Sequence, residues 1–360
     1  MRRFVIPFTV VLALASACGS SGTSGSSGTS GTSGTSKSPA TITLVTHDSF
    51  AVSKSVLNDF TKRTGVKVKV VASGDAGAAL NQVILTKSHP LGDAFFGVDN
   101  TLLSRAVHAG IFEPYRSPQL SHVPAQYQLA SRNELTPVDH GDVCVNTDRA
   151  ELAKRKLPAP RTLADLAKPV YKDLLVTENP ATSSPGLVFM LATIAKYGTG
   201  GWQRYWSSLR ANGVKVEAGW DQAYNGDFSA GPGHGDRPLV VSYATSPPAS
   251  VDPNTKPLPA QAPVGTALDT CAKQIEFVGV LRGTHHQAAA RQLVDEMLST
   301  RFQQDMPLQM YVLPVHDGAK LPALFVKYAD QPQHSFQLPP ATVERNRETW
   351  IGQWTDRVIG

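Results

Sequence analysis

Twice along this chain, short apolar runs suited to β-strands alternate with helical patterns, and that rhythm narrows the fold more than any other feature. Residues 42–45 read as a strand, after which Val56, Leu57 and Phe60 fall at helical spacing and Gly65 supplies a helix stop. Residues 66–70 alternate Val-Lys-Val-Lys-Val, a strand with one solvated face. A helix over 78–85, a strand over 93–98 and a helix over 102–109 ended by Gly110 follow. The pattern resumes with a strand at 174–176, helices over 187–197 (bounded by Gly198) and 202–211, and strands at 214–216 and 239–243. Such β-α-β-α order predicts an α/β fold with a mostly parallel sheet and covering helices. The stretch 111–146, poorer in helix signal, separates the two blocks, and a second change falls around 271–280. Two crossings imply two lobes joined by paired connecting segments, with a cleft between them of the kind that favours ligands. On this reading lobe 1 takes about 41–141 and 272–325 and lobe 2 about 142–271, with 326–360 packing against the lobes. A length of 360 residues accommodates two such units at about 150 residues each.

The first forty residues set the compartment. Arg2 and Arg3 precede an apolar run over residues 4–17, interrupted only by Thr9 and Ser16. A membrane span needs about 20 residues, so this run is the core of a signal peptide over 1–17. It ends Ala15-Ser16-Ala17-Cys18, which resembles a bacterial lipobox in which Cys18 is lipidated and becomes the first mature residue. An ordinary signal peptide cut after Ala17 is the alternative. Residues 19–36 are Gly-Ser/Thr-Ser triplets, within a linker over 18–40. Such a coil reaches about 25 Å, enough to tether a folded domain above a membrane. The expected location is therefore extracytoplasmic, on the outer face of the cell membrane. With Cys18 lipidated, Cys144 and Cys271 remain as an even pair in an oxidising compartment, either bridged or as two buried free thiols.

Charge and missing motifs exclude several functions. The formal charge of +5 includes Arg2 and Arg3 of the signal, and no basic stripe of the kind nucleic-acid binding needs is present. The chain has no phosphate-binding P-loop, no Gly-x-Ser-x-Gly elbow, no His-Glu-x-x-His and no Cys-x-x-Cys. Gly-Pro-Gly-His-Gly-Asp at 231–236 leads into a strand rather than opening a helix, and so reads as a surface loop. His285 and His286 are helix neighbours pointing about 100° apart, which disfavours a shared metal. No resident metal or cofactor is expected.

Four segments suit a small ligand. Thr182-Ser183-Ser184-Pro185-Gly186 precedes a helix, a strong capped start whose free N–H groups would face a phosphate or hydroxyl. Tyr243-Ala244-Thr245-Ser246-Pro247 lies at the C-terminal end of a strand, where α/β sheets place their ligand loops. Gly219-Trp220 follows another strand and offers an aromatic face. His47-Asp48-Ser49-Phe50 offers a carboxylate beside a ring at a further strand end.

Over about residues 42–355 the chain resembles the thiamine-binding, substrate-binding proteins of bacterial ABC importers. The resemblance runs through Thr46-His47-Asp48-Ser49-Phe50-Ala51, Gly97-Val98-Asp99-Asn100, Thr182-Ser183-Ser184-Pro185-Gly186-Leu187, Gly219-Trp220-Asp221-Gln222-Ala223-Tyr224, Ser242-Tyr243-Ala244-Thr245-Ser246-Pro247 and Trp350-Ile351-Gly352-Gln353-Trp354. It implies a type II periplasmic-binding-protein fold, two α/β lobes joined by hinge strands around a ligand cleft. It also implies contacts to thiamine or a thiamine phosphate from Asp75, Ala76, Ser183, Ser184, Trp220 and the run from Tyr243 to Pro247. Asp48 would meet the cation or the aminopyrimidine, and the two serines a phosphate or hydroxyethyl end. A cationic thiazolium suits aromatic faces and negative potential.

The chain departs from the family pattern at four places. His47 stands where the family typically has a tyrosine, Lys54 where it has a tryptophan, Ala249 where it has a tyrosine, and Tyr311 where it has a late tryptophan. Lost aromatic area, and positive charge at His47 or Lys54, leave open a thiamine phosphate or another polar solute such as a polyamine, sugar phosphate or phosphonate. A thiamine-degrading transferase would need a nucleophilic cysteine, and only Cys144 and Cys271 could supply it. The expected protein is a non-enzymatic, monomeric capture subunit that binds a small molecule and docks on ABC permease subunits.

Overall fold

The computed structural model describes residues 40–360; the signal sequence, Cys18 and the Gly/Ser/Thr tract lie outside the described residues. The strands are β1 (Ala40–Thr46), β2 (Val66–Ala72), β3 (Ala94–Asp99), β4 (Phe112–Glu113), β5 (Thr136–Asp148), β6 (Leu175–Glu178), β7 (Lys215–Glu217), β8 (Leu239–Tyr243), β9 (Val264–Leu281) and β10 (Leu313–Pro314). They form one continuous sheet in the order β2-β1-β3-β9-β5-β8-β6-β7, with β10 beside β5 and β4 beside β9.

The sheet is parallel only toward its two ends. β2, β1 and β3 run parallel at one end, and β7, β6 and β8 run parallel at the other. The two longest strands, β5 and β9, join these groups with antiparallel pairing to each other and to their neighbours. A mostly parallel sheet describes the two groups but not the centre. The central pair reads weakly in sequence because strands buried on both faces lose the alternating pattern. β5 is buried at every position but His140, and β3 at every position.

Edge position explains the solvated lysines of β2. Lys67 and Lys69 lie on the outermost strand of this group, where charge discourages pairing with another chain. The helices over Lys54–Thr64 and Ala76–Leu85 bury Val56 and Phe60, and Ala79, Leu80 and Val83, against this group. On the other side runs the helical stretch Ser184–Ala211. Gly198 at φ +66° breaks it, as expected of a residue without a Cβ, so the two helices read from the sequence are present. The helix Pro340–Val358 packs on this run, with Trp354 edge-on to Trp206 at 5.2 Å between ring centres.

Where β5 passes β9, the register jumps. Val143 pairs with Ala272 but Val145 with Ala267, so part of β9 loops out between them. Thr270 Oγ1 in that loop accepts the Val145 amide hydrogen at 2.9 Å, and Cys271 is disulfide-bonded to Cys144. The bridge therefore pins the two joining strands together at their irregularity.

Candidate functional site

A cavity of about 360 Å³ opens between the two strand groups. Its walls come from loops at the C-terminal ends of parallel strands, as the crevice rule for open α/β sheets anticipates. His47 and Asp48 follow β1, and Asp75 and Ala76 follow β2. From the other group come Trp220 after β7 and Tyr243 at the end of β8, with Ser184 at the start of the long helix. Tyr311 closes one side from the segment before β10, held in the left-handed region at φ +57°.

Asp75 ties the two groups together. It is the N-cap of the Ala76–Leu85 helix, where Oδ1 accepts the Ala76 amide hydrogen at 2.5 Å. The same oxygen takes the Ser184 amide hydrogen at 3.4 Å, and Oδ2 takes that of Trp220 at 2.9 Å. One carboxylate thus serves two helix N-termini and a tryptophan amide. Burial raises its pKa, and the amide and hydroxyl donors pull it back toward the ionised form.

This arrangement changes the reading of Ser183 and Ser184. The helix N-terminus there is already faced by Asp75 rather than open to an incoming phosphate. Ser183 is buried and its Oγ accepts the Gly186 amide hydrogen at 3.4 Å. Ser184 donates its hydroxyl to Asp99 and receives a hydrogen bond from Gln274. Both hydroxyls are engaged within the protein, and an anion placed there would meet two carboxylates.

Trp220 is held as a wall. Its Nε1–H donates to Ser242 Oγ at 2.8 Å, and its ring stacks on Tyr224 with centres 4.8 Å apart and planes 13° apart. Ser246 stands behind, its Oγ 3.0 Å from that of Ser242, so this serine orients the tryptophan indirectly. Ala244, Thr245 and Pro247 are buried and do not line the cavity. Ser246 instead lines an adjoining chamber of about 440 Å³ that shares Trp220, Asn225 and Tyr311 with the main cavity.

Glu276 is the contact the sequence reading missed. It projects from β9 into the cavity from Ile-Glu-Phe-Val, where a single carboxylate in an apolar run was the only available signal. Asp221 and Asn225, from the turn after Trp220, were missed too. The lining therefore carries four carboxyl groups (Asp48, Asp75, Asp221 and Glu276), with no lysine or arginine among the described residues that line it. Burial lifts the pKa of Glu276 well above the ordinary value, reinforced by Asp139, itself pushed by burial to about 7. Asp48 is raised as well, by burial and by Asp75.

His47 is not the positive charge that its position suggested. Burial lowers its pKa to about 4, leaving the ring neutral at pH 7, tilted against Phe96 at 5.3 Å. Its Nε2 lies 3.6 Å from Glu276 Oε1 without a hydrogen bond. Lys54 is exposed at the start of its helix and lies outside the cavity lining. Cys144 and Cys271, bonded to each other and buried, present no free thiolate.

A model of the bacterial extracellular solute-binding protein family matches residues 90–329. The chain belongs to this family. The thiamine-binding periplasmic protein of Brucella suis biovar 1 (strain 1330) is 29% identical over 323 residues, covering 87% of this chain and 91% of that protein. The thiamine-binding periplasmic protein of Salmonella typhimurium (strain LT2) is 29% identical over 318 residues, 87% and 92% of the two chains. Among solved structures, a periplasmic thiamin binding protein superposes with a TM-score of 0.77 at 25% identity, covering 88% of this chain and 96% of that one. The fold of this solute-binding protein is the type II periplasmic-binding-protein fold, and the cavity opens between its strand groups.

Proposed function

We propose that this solute-binding protein captures thiamine and delivers it to an ABC import permease. The observation that carries this reading is a cavity lined by four carboxyl groups together with Trp220 and Tyr243, and by no lysine or arginine among the described residues. A cationic heteroaromatic ring gains from both the aromatic faces and the negative potential. The names of the relatives support the same choice. Sugar phosphates and phosphonates fit poorly, because among the described residues no lysine or arginine lines the cavity to pair with an anion. A transferase reading lacks its nucleophile, since both cysteines are consumed in the bridge. In this proposal the lobes close over the ligand about β5 and β9, and the closed form docks on the permease as a monomer.

Calorimetric titration with thiamine, its monophosphate and its diphosphate tests the ligand. Thiamine is expected to bind below about 1 μM, with each added phosphate weakening binding. Absence of heat with all three, from folded and ligand-free protein, would sink the assignment, and a polyamine titrated alongside identifies the competing cationic solute.

The same titrations carry a pH signature. A bound cation favours the carboxylate form of Glu276 and Asp48, whose pKa values are raised, so binding is expected to release protons and to tighten as pH rises through those raised values. The ligand-free protein has the opposite trend. Acids raised above their unfolded values give stability that is complete only below those unfolded values, 3.8 for Asp139, and lost as pH climbs through their folded values, near 7 for Asp139. Observed heats that do not change among buffers of different ionisation enthalpy would contradict the proton release.

The lipobox at Ala15-Ser16-Ala17-Cys18 supports anchoring through a lipidated Cys18, with the linker as tether. Cells fed a labelled fatty acid should incorporate label into the protein and lose it in Cys18→Ala. Label persisting in that variant would remove the anchor from the proposal.

A further inference from the structure

Away from the cleft, the short helical turn Pro118–His122 and the segment just after β10 bring His122, His316 and Asp317 together. One ligand atom from each lies within 4.8 Å of the others. Asp317 Oδ1 sits between two imidazole nitrogens, 3.8 Å from Nδ1 of His122 and 3.6 Å from Nδ1 of His316. The two rings stack nearly parallel with centres 4.8 Å apart. We propose that this cluster is a binding site for a divalent transition-metal cation, with zinc as the fitting representative.

The donor set is right for that class. Two imidazoles and one carboxylate suit zinc and its neighbours rather than magnesium or calcium, which prefer all-oxygen shells. Zinc bound at about 2.0–2.2 Å in tetrahedral geometry sets its ligand atoms about 3.3–3.5 Å apart. The two separations to Asp317 exceed that by only a few tenths of an ångström; the imidazoles, now stacked 11° from parallel, converge on one ion only when the exposed His122 ring turns out of the stack. His122 and Asp317 are exposed and free to adjust.

The backbone beneath is already assembled. The Asp317 amide donates to the His122 carbonyl at 3.0 Å, fixing the two segments in register. His316 is buried, and its amide donates to Gln303 Oε1 at 3.1 Å, as does that of Val315 at 2.9 Å. The Gly318 amide donates to Nδ1 of His316 at 2.9 Å, so that nitrogen carries a lone pair rather than a proton. A cation that takes this lone pair displaces an amide on an exposed turn, where water replaces the lost bond. The sequence pattern could not reveal the site. Its histidine pair at 285–286 drew attention, whereas these ligands come from distant segments.

The test uses zinc chloride added to the metal-free full chain, prepared without a histidine tag. One zinc per protein is expected by calorimetry, with a rise in Tm because the cation binds only the folded state. His122→Ala and Asp317→Asn, both exposed and so tolerant of change, should each weaken zinc binding at least tenfold and abolish the Tm rise. A His285→Ala/His286→Ala variant should bind as the parent does. No saturable zinc binding, or binding unchanged in His122→Ala and Asp317→Asn, would overturn the proposal, as would loss confined to the 285–286 variant.

Discussion

Replacing Asp75 with alanine is expected to cost about 3 kcal/mol of stability and to abolish measurable solute capture. Its two oxygens accept amide hydrogens from Ala76, Ser184 and Trp220, and the last two belong to the opposite strand group. Removing the acceptor strands buried donors, each worth about 1–3 kcal/mol, though the three losses overlap and do not add in full. Losing an N-cap alone costs about 1 kcal/mol. Chemical denaturation measures the first effect and titration calorimetry the second. A loss below about 1 kcal/mol would show that solvent takes over these amides and that Asp75 is no clasp.

A neighbouring glycine allows the clasp to be separated from general stability. Ala78 donates its amide hydrogen to the Thr182 carbonyl across the same junction, at 2.9 Å. A Cβ on Gly77 would stand 2.8 Å from that Thr182 oxygen, closer than real Cβ contacts occur. Gly77→Ala should therefore hold the two strand groups apart, weakening capture at least tenfold with a smaller loss of stability than Asp75→Ala. Unchanged affinity in Gly77→Ala would mean that the approach of these loops does not contribute to binding.

Trp220→Ala and Tyr243→Ala are each expected to weaken thiamine binding at least tenfold, or about 1.4 kcal/mol, while the protein stays folded. Trp220 is fixed by its Nε1–H to Ser242 and by Tyr224 behind it, so its face is presented without further ordering cost on binding. Removing it loses both apolar contact and the ring that favours a cation, worth about 0.5–2 kcal/mol for the cation alone. Ser246→Ala separates positioning from contact. It leaves the main cavity lining intact but removes the hydroxyl behind Ser242, so a smaller loss than in Trp220→Ala is expected. Affinities unchanged in both aromatic variants would place the ligand elsewhere.

Much of the cleft was legible because strand ends can be read locally. Asp48, Trp220 and Tyr243 each follow a short apolar run, and parallel strands direct such positions to one edge of the sheet. Glu276 escaped because β9 is buried on both faces, and one carboxylate inside an apolar run gives no periodic signal. Ser183 and Ser184 were visible as a helix start, yet the carboxylate that faces them comes from a loop more than a hundred residues earlier.

The sequence alone determined the α/β class, the separate strand–helix units and the even cysteine pair. These follow from side-chain periodicity, helix stops and residue counts within short windows. Only the tertiary structure decided the antiparallel centre, the shifted register stapled by Cys144 and Cys271, and the neutral state of His47. It also decided that Asp75 faces the helix start where a phosphate had been expected, and that His122 meets His316 and Asp317. Burial and charge proximity depend on which distant segments become neighbours, and a local pattern carries no record of that.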